Sequence, residues 1–432
     1  MAENLRTPRG TKDILPEEQR TWLFLADVVQ KKCESFGCGR IETPIFEYGE
    51  IFTKSLGQTS DIVTKEMYQV SRASTQLEPD DEKRILVLRP EFTAGIVRSY
   101  LEHGMKTWPQ PVKLYYWGPI FRYDRPQAGR FRQSHQFGVE IIGDADPLTD
   151  AFVIYLGYQI FKKIGLEKNL IVDINSIGCS LCRPKMKKRL TEYFEKFLST
   201  LCADCNRRFV ENPLRILDCK EEKCQRVLRG APQVVDMLCE TCKNNFKQIL
   251  ENLDNLQIPY NLNPRLVRGL DYYTRTVFEF LDKGDTSRQS ALLGGGRYDN
   301  LIKIFGGPDT PAIGFAAGIE RIVTKMKEAG IEIPEIKTAD VCLVQIGDKA
   351  RKKALSLLSD LEEAGIDVAC ILGKESLKGQ LRMASRLKAK ICLIMGQREA
   401  LDQSVIVRDM EDGSQETIKL KKLIDVLKDR LK

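Results

Sequence analysis

The sequence predicts an α+β fold: an antiparallel sheet with interspersed helices, interrupted by a cysteine-rich helical insertion and followed by a separate α/β unit. Three observations predict it. Apolar and aromatic segments flank an arginine-rich loop between residues 112 and 143, and strand-like segments resume after residue 265. Four close cysteine pairs crowd between residues 179 and 242, in a stretch unlike its surroundings. Beyond Pro334 the pattern changes to ADVCLVQIG, a charged helix, IDVACIL, another helix and AKICLIMG, which reads as a parallel α/β unit.

Each element follows from local pattern. Residues 17 to 36 predict an amphipathic helix stopped near Gly37. IETPIFE, with Pro44, predicts extended chain. ILVLRPEFTAGIVRSYL predicts a strand, a loop at Arg89–Thr93 and a helix. Residues 112 to 143 predict two antiparallel strands around a tip at Pro126–Gly129. Residues 147 to 164 predict a helix, and IVDINSIG a strand that enters the cysteine-rich stretch. RTVFEFL, SALLGGGRYDNLI and AIGFAAGIERIV follow it as strand-like segments, the last running into a helix. The C-terminal unit closes with a hairpin at Asp412–Gly413 and a lysine-rich helix. The expected boundaries are 1–176 with 259–330 for a split core, 177–258 for the insertion and 338–432 for the last unit.

A chain of 432 residues is long enough for roughly two or three domains, and 42% apolar content supports real cores. A net charge of +7 is basic without being extreme, so a polyanion would bind through local patches. The N-terminus MAENLRTPRGTKDILP has no apolar signal core. The run AFVIYLGYQIF is far short of the ~20 residues of a membrane span. The expectation is a cytoplasmic protein with no membrane partner. Thirteen cysteines in that setting point to thiols or metal ligands rather than disulfides.

FRYDRPQAGRFR, residues 121 to 132, puts Arg122, Arg125, Arg130 and Arg132 around one turn. A solvated hairpin tip is the plain explanation. Against it, the flanking strands give the loop a rigid base, and arginine recurs where lysine would serve solubility equally well. A planar guanidinium binds phosphate oxygens bidentately, which an ammonium cannot. The chain has no Walker lysine motif and no GxGxxG, so a bound nucleotide would be held by arginines on a sheet. LVRGLDYYTRTVFE, residues 266 to 279, gathers Arg268, Asp271, Tyr272, Tyr273 and Arg275 ahead of a strand; a polar turn is the alternative. In extended chain the two tyrosines would point to opposite faces, one lining a pocket while the other packs. GFAAGIERI, residues 314 to 322, sets small residues ahead of Arg321, and close packing is its simplest explanation.

Together these segments resemble the class II aminoacyl-tRNA synthetases. FRYDRPQAGRFRQSHQFGVE is similar to their second motif, AIGFAAGIERI to their third, and IETPIFEYGEIF to the first, which builds the family's dimer interface. RGTKDILP, LRPEFTAGIVR, RGLDYYTRTVFE and GGGRYDNLI narrow the resemblance to the histidyl-tRNA synthetase family. RGLDYYTRTVFE is the most specific of them, because other class II enzymes lack it. Ser134 departs from the pattern, standing where the family usually has an aromatic residue before HQ. LKGQLRMASRLKAKICLIMGQREA carries the resemblance into the C-terminal unit, where the family has an anticodon-binding domain.

The resemblance implies an antiparallel class II catalytic core and a homodimer. It implies a ligase that activates L-histidine with ATP and Mg2+ and then charges tRNA(His). It assigns Arg122 and Arg268 to opposite sides of the α-phosphate, and Arg321 to the γ-phosphate. Glu91, Thr93 and Gln136 would hold the α-amino group; Glu140 and Tyr273, beside Tyr272, would bond the imidazole nitrogens. A neutral imidazole offers one donor and one acceptor, so a carboxylate and a hydroxyl suit it whatever the family. Neither His103 nor His135 is needed. The alternative is a regulatory paralogue like the synthetase-like subunit of ATP phosphoribosyltransferase. Such paralogues lose the catalytic arginine motif and the anticodon domain, and this chain keeps both.

Cys179-x2-Cys182, Cys202-x2-Cys205, Cys219-x4-Cys224 and Cys239-x2-Cys242 have the spacing of all-cysteine tetrahedral zinc sites, with capacity for two ions; reduced thiols are the alternative. Lys185, Lys187, Lys188 and Arg189 suit either a tRNA acceptor arm or a solvated face. Lys374, Lys378, Arg382 and Arg386 recur every four residues, which on a helix makes one basic stripe. The resemblance implies that such a stripe would meet anticodon-stem phosphates.

Overall fold

A computed structural model describes residues 5–57, 60, 62–71, 85–124, 131–284, 291–334, 339–372 and 376–431. Arg125, Arg130 and Lys374 lie outside the described residues. The chain divides into two units, residues 1–333 and 334–432. Among the described residues no helix is long and apolar enough to cross a membrane.

In the first unit the described strands are, in order, β1 (Gly39–Arg40), β2 (Phe46–Tyr48), β3 (Gln69–Val70), β4 (Leu86–Leu88), β5 (Val112–Phe121), β6 (Gln133–Ile142), β7 (Leu170–Ser176), β8 (Tyr260–Leu262), β9 (Thr274–Asp282), β10 (Ala291–Arg297) and β11 (Ala312–Gly318). Eight of them form one sheet in the order β1-β5-β6-β11-β10-β9-β7-β8. The six central strands are antiparallel, and the short edge strands β1 and β8 pair in parallel. β2, β4 and β3 make a small sheet of their own, so IETPIFE contributes only a three-residue strand starting at Phe46. β5 and β6 are the expected arginine-loop hairpin, ten residues each.

Alternation along the central strands divides the sheet's two faces. Phe137, Val139, Ile141, Phe278, Phe280, Leu293, Ile313, Phe315 and Ala317 point one way and are buried. Against them pack the helices Pro16–Ser35, Pro147–Lys163 and Ile319–Glu328, through residues such as Leu25, Leu156 and Ile322. Each large side chain buried there contributes about 1.5–3 kcal/mol. Arg297, 2% exposed, pairs with Asp150 of the helix Pro147–Lys163, which fastens that helix to the end of β10.

Between β7 and β8 the chain forms the helices Arg183–Phe194, Ala203–Glu211, Glu222–Leu228 and Glu240–Asn255, joined by short 3-10 turns. Lys185, Lys187, Lys188 and Arg189 are exposed, opposite buried Met186 and Leu190.

The second unit has β12 (Val341–Gln345), β13 (Val368–Cys370), β14 (Ile391–Met395), β15 (Ser404–Asp409) and β16 (Gln415–Lys419), in the order β13-β12-β14-β15-β16. β13, β12 and β14 are parallel, as the pattern predicted; β15 and β16 add an antiparallel hairpin turning at Gly413, whose φ is 77°. On the helix Leu377–Arg386, Gln380 is buried and exchanges hydrogen bonds with the backbone of Gln345 at 3.0 and 3.1 Å. That contact fixes the helix's rotation and leaves Lys378, Arg382 and Arg386 exposed along one side.

Candidate active site

The face of the large sheet turned away from the three helices is almost bare at its centre. One cross-strand row reads Tyr116, Gly138, Ala316, Gly294 and Glu279; the next reads Leu114, Glu140, Gly314, Gly296 and Val277; Gly118, Gln136 and Gly318 begin a third. The space is taken by polar groups reaching in from elsewhere. A β-carbon at Gly314 would collide with the Glu140 carboxylate, and one at Gly294 with the Arg268 guanidinium. These glycines are therefore required by close approach rather than by backbone angle.

Glu140 lies at the middle of the site and is 1% exposed. Thr93 Oγ1 donates to its Oε1 at 2.8 Å and the Tyr298 hydroxyl to its Oε2 at 2.6 Å. Burial raises its pKa to about 8 against those two hydrogen bonds. Burial also lifts the hydroxyls of Tyr116, Tyr272 and Tyr298 well above the phenol range, so all three are hydrogen-bond donors at neutral pH.

Glu91 has a structural duty that the sequence did not reveal. Its carboxylate accepts from the backbone N–H groups of Thr93 at 2.7 Å and Ala94 at 2.8 Å, which satisfies the first turn of the helix Thr93–Glu102. Burial nevertheless raises its pKa. Arg89, 2% exposed, anchors the same loop by donating to the carbonyls of Pro119 at 2.8 Å and Thr43 at 2.6 Å, with its guanidinium 4.0 Å from the Phe92 ring centroid. Gln136 presents a buried Oε1 without a partner among the described residues.

The arginines stand around this floor. Arg122 Nε donates to Pro90 O at 2.8 Å; burial lowers its pKa, with Glu66 and Glu91 opposing, and it remains a cation. Arg132 spans the same hairpin at 3.9 Å from the Tyr123 ring. Arg268 pairs with Glu279 of β9 and lies 5.8 Å from the Tyr273 ring. Burial pulls its pKa down, but Glu279 more than offsets that and holds it above the usual value. Arg321 donates to Ala291 O at 2.9 Å, three residues along β10 from Gly294, or about 10 Å.

Tyr272 and Tyr273 do not face opposite ways. A turn at Asp271–Tyr272 replaces extended chain, both rings are buried, and their centroids are 4.6 Å apart. Tyr273 lies over Gly296 and both rings face the site. Tyr116, Tyr298 and Glu279 are members of the site that the sequence reading missed. Tyr298 sits at the end of the quoted GGGRY stretch, but its bond to Glu140 spans 158 residues and follows from sheet register alone.

The eight cysteines form two clusters. Cys179, Cys182, Cys239 and Cys242 bring their Sγ atoms within 4.8 Å of one another, as do Cys202, Cys205, Cys219 and Cys224. The first pair thus joins the fourth, and the second joins the third. Separations of 3.8 Å for Cys179–Cys182, Cys179–Cys239 and Cys202–Cys219 match the edge, about 3.8 Å, of a tetrahedron with ~2.3 Å metal–sulfur bonds. Backbone N–H groups of Cys239, Cys202 and Cys205 point at Cys182, Cys224 and Cys202 Sγ at 3.1, 3.2 and 3.4 Å, an arrangement that stabilises thiolates.

Residues 10–322 match the family model described as histidyl-tRNA synthetase, and residues 340–430 match that of an anticodon binding domain. A histidine–tRNA ligase of Desulforamulus reducens is 46% identical over 98% of this chain and 99% of its own length. One of Pelotomaculum thermopropionicum is 44% identical over 98% and 97%. Among solved structures, the apo histidyl-tRNA synthetase of S. aureus superposes with a TM-score of 0.79 at 36% identity, over 98% of this chain and 99% of that one. Matched over most of its length by the family model, and at this identity to relatives of its own size, the chain belongs to the histidyl-tRNA synthetase family.

Proposed function

We infer that the chain is a histidine–tRNA ligase. It joins L-histidine to ATP as histidyl-adenylate, releasing pyrophosphate, and then passes histidine to the terminal adenosine of tRNA(His). The observation that carries this reading is the bare sheet face with Glu140 and the tyrosines Tyr116, Tyr272, Tyr273 and Tyr298 beside it and Arg122, Arg268 and Arg321 around it. A planar adenylate needs backbone approach, a polar pocket at one end and cations at its phosphate. The regulatory-subunit alternative requires none of these together.

In the first step the histidine carboxylate attacks the α-phosphorus, and the bond to the bridging oxygen of pyrophosphate breaks. Charge grows on the non-bridging oxygens, so Arg122 and Arg268 act mainly in the transition state. Arg321 takes the γ-phosphate. Mg2+, when bound, would neutralise the phosphate tail, and Glu279, beside Arg268, would be an oxygen donor for it. Glu140 accepts from the imidazole N–H and the Tyr273 hydroxyl donates to the other nitrogen. The unpartnered Gln136 Oε1 accepts from the α-amino group, together with Glu91 and Thr93. A pocket built on such bonds rejects analogues lacking them by about 10⁴–10⁵. In the second step the ribose hydroxyl of tRNA attacks the activated carbonyl and AMP leaves.

Residues 338–432 serve the anticodon stem through Lys378, Arg382 and Arg386, residues 1–176 with 259–330 the chemistry, and residues 177–258 are an insertion in which each cysteine cluster holds one Zn2+. The enzyme works as a cytoplasmic homodimer through the segment IETPIFEYGEIF. The test is amino-acid-dependent ATP–pyrophosphate exchange across all twenty amino acids. Histidine alone should support it; exchange with none, or faster with another, refutes the reading.

A further inference from the structure

The segment that carries Arg268, Tyr272 and Tyr273 meets the sheet at three points: Asn263 donates to Ile174 O and Asp173 of β7, the Leu266 carbonyl accepts from Asn175 at 2.9 Å, and Arg268 pairs with Glu279 of β9. It lies between β8 and β9, without regular structure from Asn263 to Tyr273. Its polar partners from the insertion fall into two sets. From the second cysteine cluster, the loop between Cys205 and Cys219 sends Asn212 to Asp271 Oδ1 at 3.1 Å and Arg215 to Gly269 O at 2.7 Å. Gln225, next to Cys224, accepts from Arg265 at 3.1 Å and donates to the Cys219 carbonyl. From the first cluster, Arg183, next to Cys182, donates to Tyr273 O at 2.6 Å. The residues just before Cys179 close the other end: Ile177 N–H donates to Arg275 O at 2.7 Å and Arg275 N–H to Gly178 O at 2.9 Å.

Arg275 gives an independent sign that the segment is under constraint. Its φ is 50°, a left-handed conformation that costs a side-chain-bearing residue roughly 1–2 kcal/mol. Such a conformation persists only where the surroundings over-determine it, and the two backbone bonds to Ile177 and Gly178 are those surroundings. Arg183, Gln225 and Arg215 lie within four residues of a cysteine of their cluster, and Asn212 lies midway along the loop between Cys205 and Cys219. The insertion also packs an apolar cluster, with Met186, Leu190, Phe194, Leu214 and Leu228 in it, that reaches Leu266 and Val267 of the segment; Cys182, Cys205, Cys219, Cys224 and Cys242 are buried within that cluster, so the metal sites and the packing share one junction.

We propose that the two cysteine clusters are zinc clamps on the catalytic segment, one gripping residues 265–271 and the other residues 273–275. The proposal rests on the zinc occupancy inferred above and adds what the ions do: they hold the α-phosphate arginine and both tyrosines in register with the sheet, without touching substrate. Sγ atoms within 4.8 Å of one another enclose one ion each and leave no room for the core of an iron–sulfur cluster.

The test uses the full chain, purified without chelator. Metal content, amide hydrogen exchange of peptides covering 265–275, and histidine-dependent ATP–pyrophosphate exchange are measured together. The parent should hold two zinc ions per chain. Cys242→Ser and Cys219→Ser should each lose one and deprotect residues 265–275. Because a ligand variant can simply unfold, Arg183→Gln and Arg215→Gln decide the matter. Both should keep two zinc ions, yet exchange of 265–275 should quicken about tenfold and kcat fall by a similar factor. The histidine KM should rise as well, because Tyr272 and Tyr273 ride on the segment; a smaller folded fraction would leave KM alone. Arg183→Lys, which retains a donor for the Tyr273 carbonyl, should recover part of the loss. No zinc, or iron in its place, in the parent removes the zinc reading and the clamp with it. Two zinc ions in the tether variants with parental protection, KM and kcat leave zinc in place and overturn the clamp.

Discussion

Arg268 allows the chemistry of the site to be tested in two ways that share no side effect. Arg268→Ala deletes the guanidinium. If it meets the α-phosphate, losing one such donor costs about 10²–10³ in rate, or roughly 3–4 kcal/mol of transition-state stabilisation. Gly294→Ala leaves the arginine but fills its place: a β-carbon there would overlap the guanidinium carbon and both terminal nitrogens. The backbone of Gly294 is paired on both sides, with Glu279 of β9 and Ala316 of β11, so it cannot retreat. The guanidinium must move, and the rate should fall to within tenfold of Arg268→Ala. Arg268→Ala also strands Glu279. Both side chains are a fifth to a quarter exposed, so that loss is about 1–2 kcal/mol of stability, separable in a thermal melt. Lysine should restore little, since one ammonium lacks the fork geometry. The assay is single-turnover adenylate formation, with histidine binding measured apart. Binding should change far less than rate, because Glu91, Glu140 and Gln136 still hold the amino acid. If binding and rate fell by one factor, or if the rate stayed within a few-fold of the parent, Arg268 would serve only to neutralise Glu279.

Glu140, raised to about 8, is mostly neutral at pH 7 in the free protein; between pH 7 and 8, above the ~6.5 of free imidazole, histidine affinity should rise about fivefold and then level off. Glu140→Gln should abolish that inflection; an unchanged profile would mean that Glu140 does not meet the imidazole. Because the folded value lies above the ordinary 4.5, the same group stabilises the protein below that pH, and its contribution is lost as pH rises through about 8, which urea unfolding of parent and Glu140→Gln would resolve. Arg297→Ala leaves Asp150 buried and unpaired and should destabilise the first unit by about 3–5 kcal/mol in the same assay; a loss under 1 kcal/mol would show that water replaces the arginine. Replacing Lys378, Arg382 and Arg386 by alanine should leave ATP–pyrophosphate exchange intact and lower the salt dependence of tRNA binding by up to about 2–3 in the log–log slope; an unchanged slope would make the stripe a solvated face.

What the sequence shows and conceals here divides along one physical line. Patterns that repeat within a segment are legible: the apolar alternation of β5 and β6, the helix after LRPEF, the strand–helix rhythm beyond Pro334. Facts that depend on register between segments are not. Gly138, Gly294 and Gly314 come from three stretches, of which only that of Gly314 reads as close packing; only pairing sets them side by side and turns them into a floor. The bond from Tyr298 to Glu140 and the joining of the first cysteine pair with the fourth are hidden for the same reason. Tyr272 and Tyr273 failed differently. The alternation rule presupposes extended chain, and the turn before Arg275 overrides it.

The two faces of the sheet explain why both kinds of information are needed. On the helix-covered face, Phe137, Val139 and Phe315 can be exchanged for other apolar groups of similar volume at a modest stability cost, because that face asks only for close packing. On the bare face, Gly138 and Gly314 cannot gain a carbon without displacing the Tyr116 hydroxyl or the Glu140 carboxylate, and Gln136, Glu140 and Ala316 share that face. Adjacent positions on one strand are therefore under opposite demands. Substitutions along β6 and β11 should alternate in their effect, stability at one residue and catalysis at the next, with the period of two that the pleat imposes.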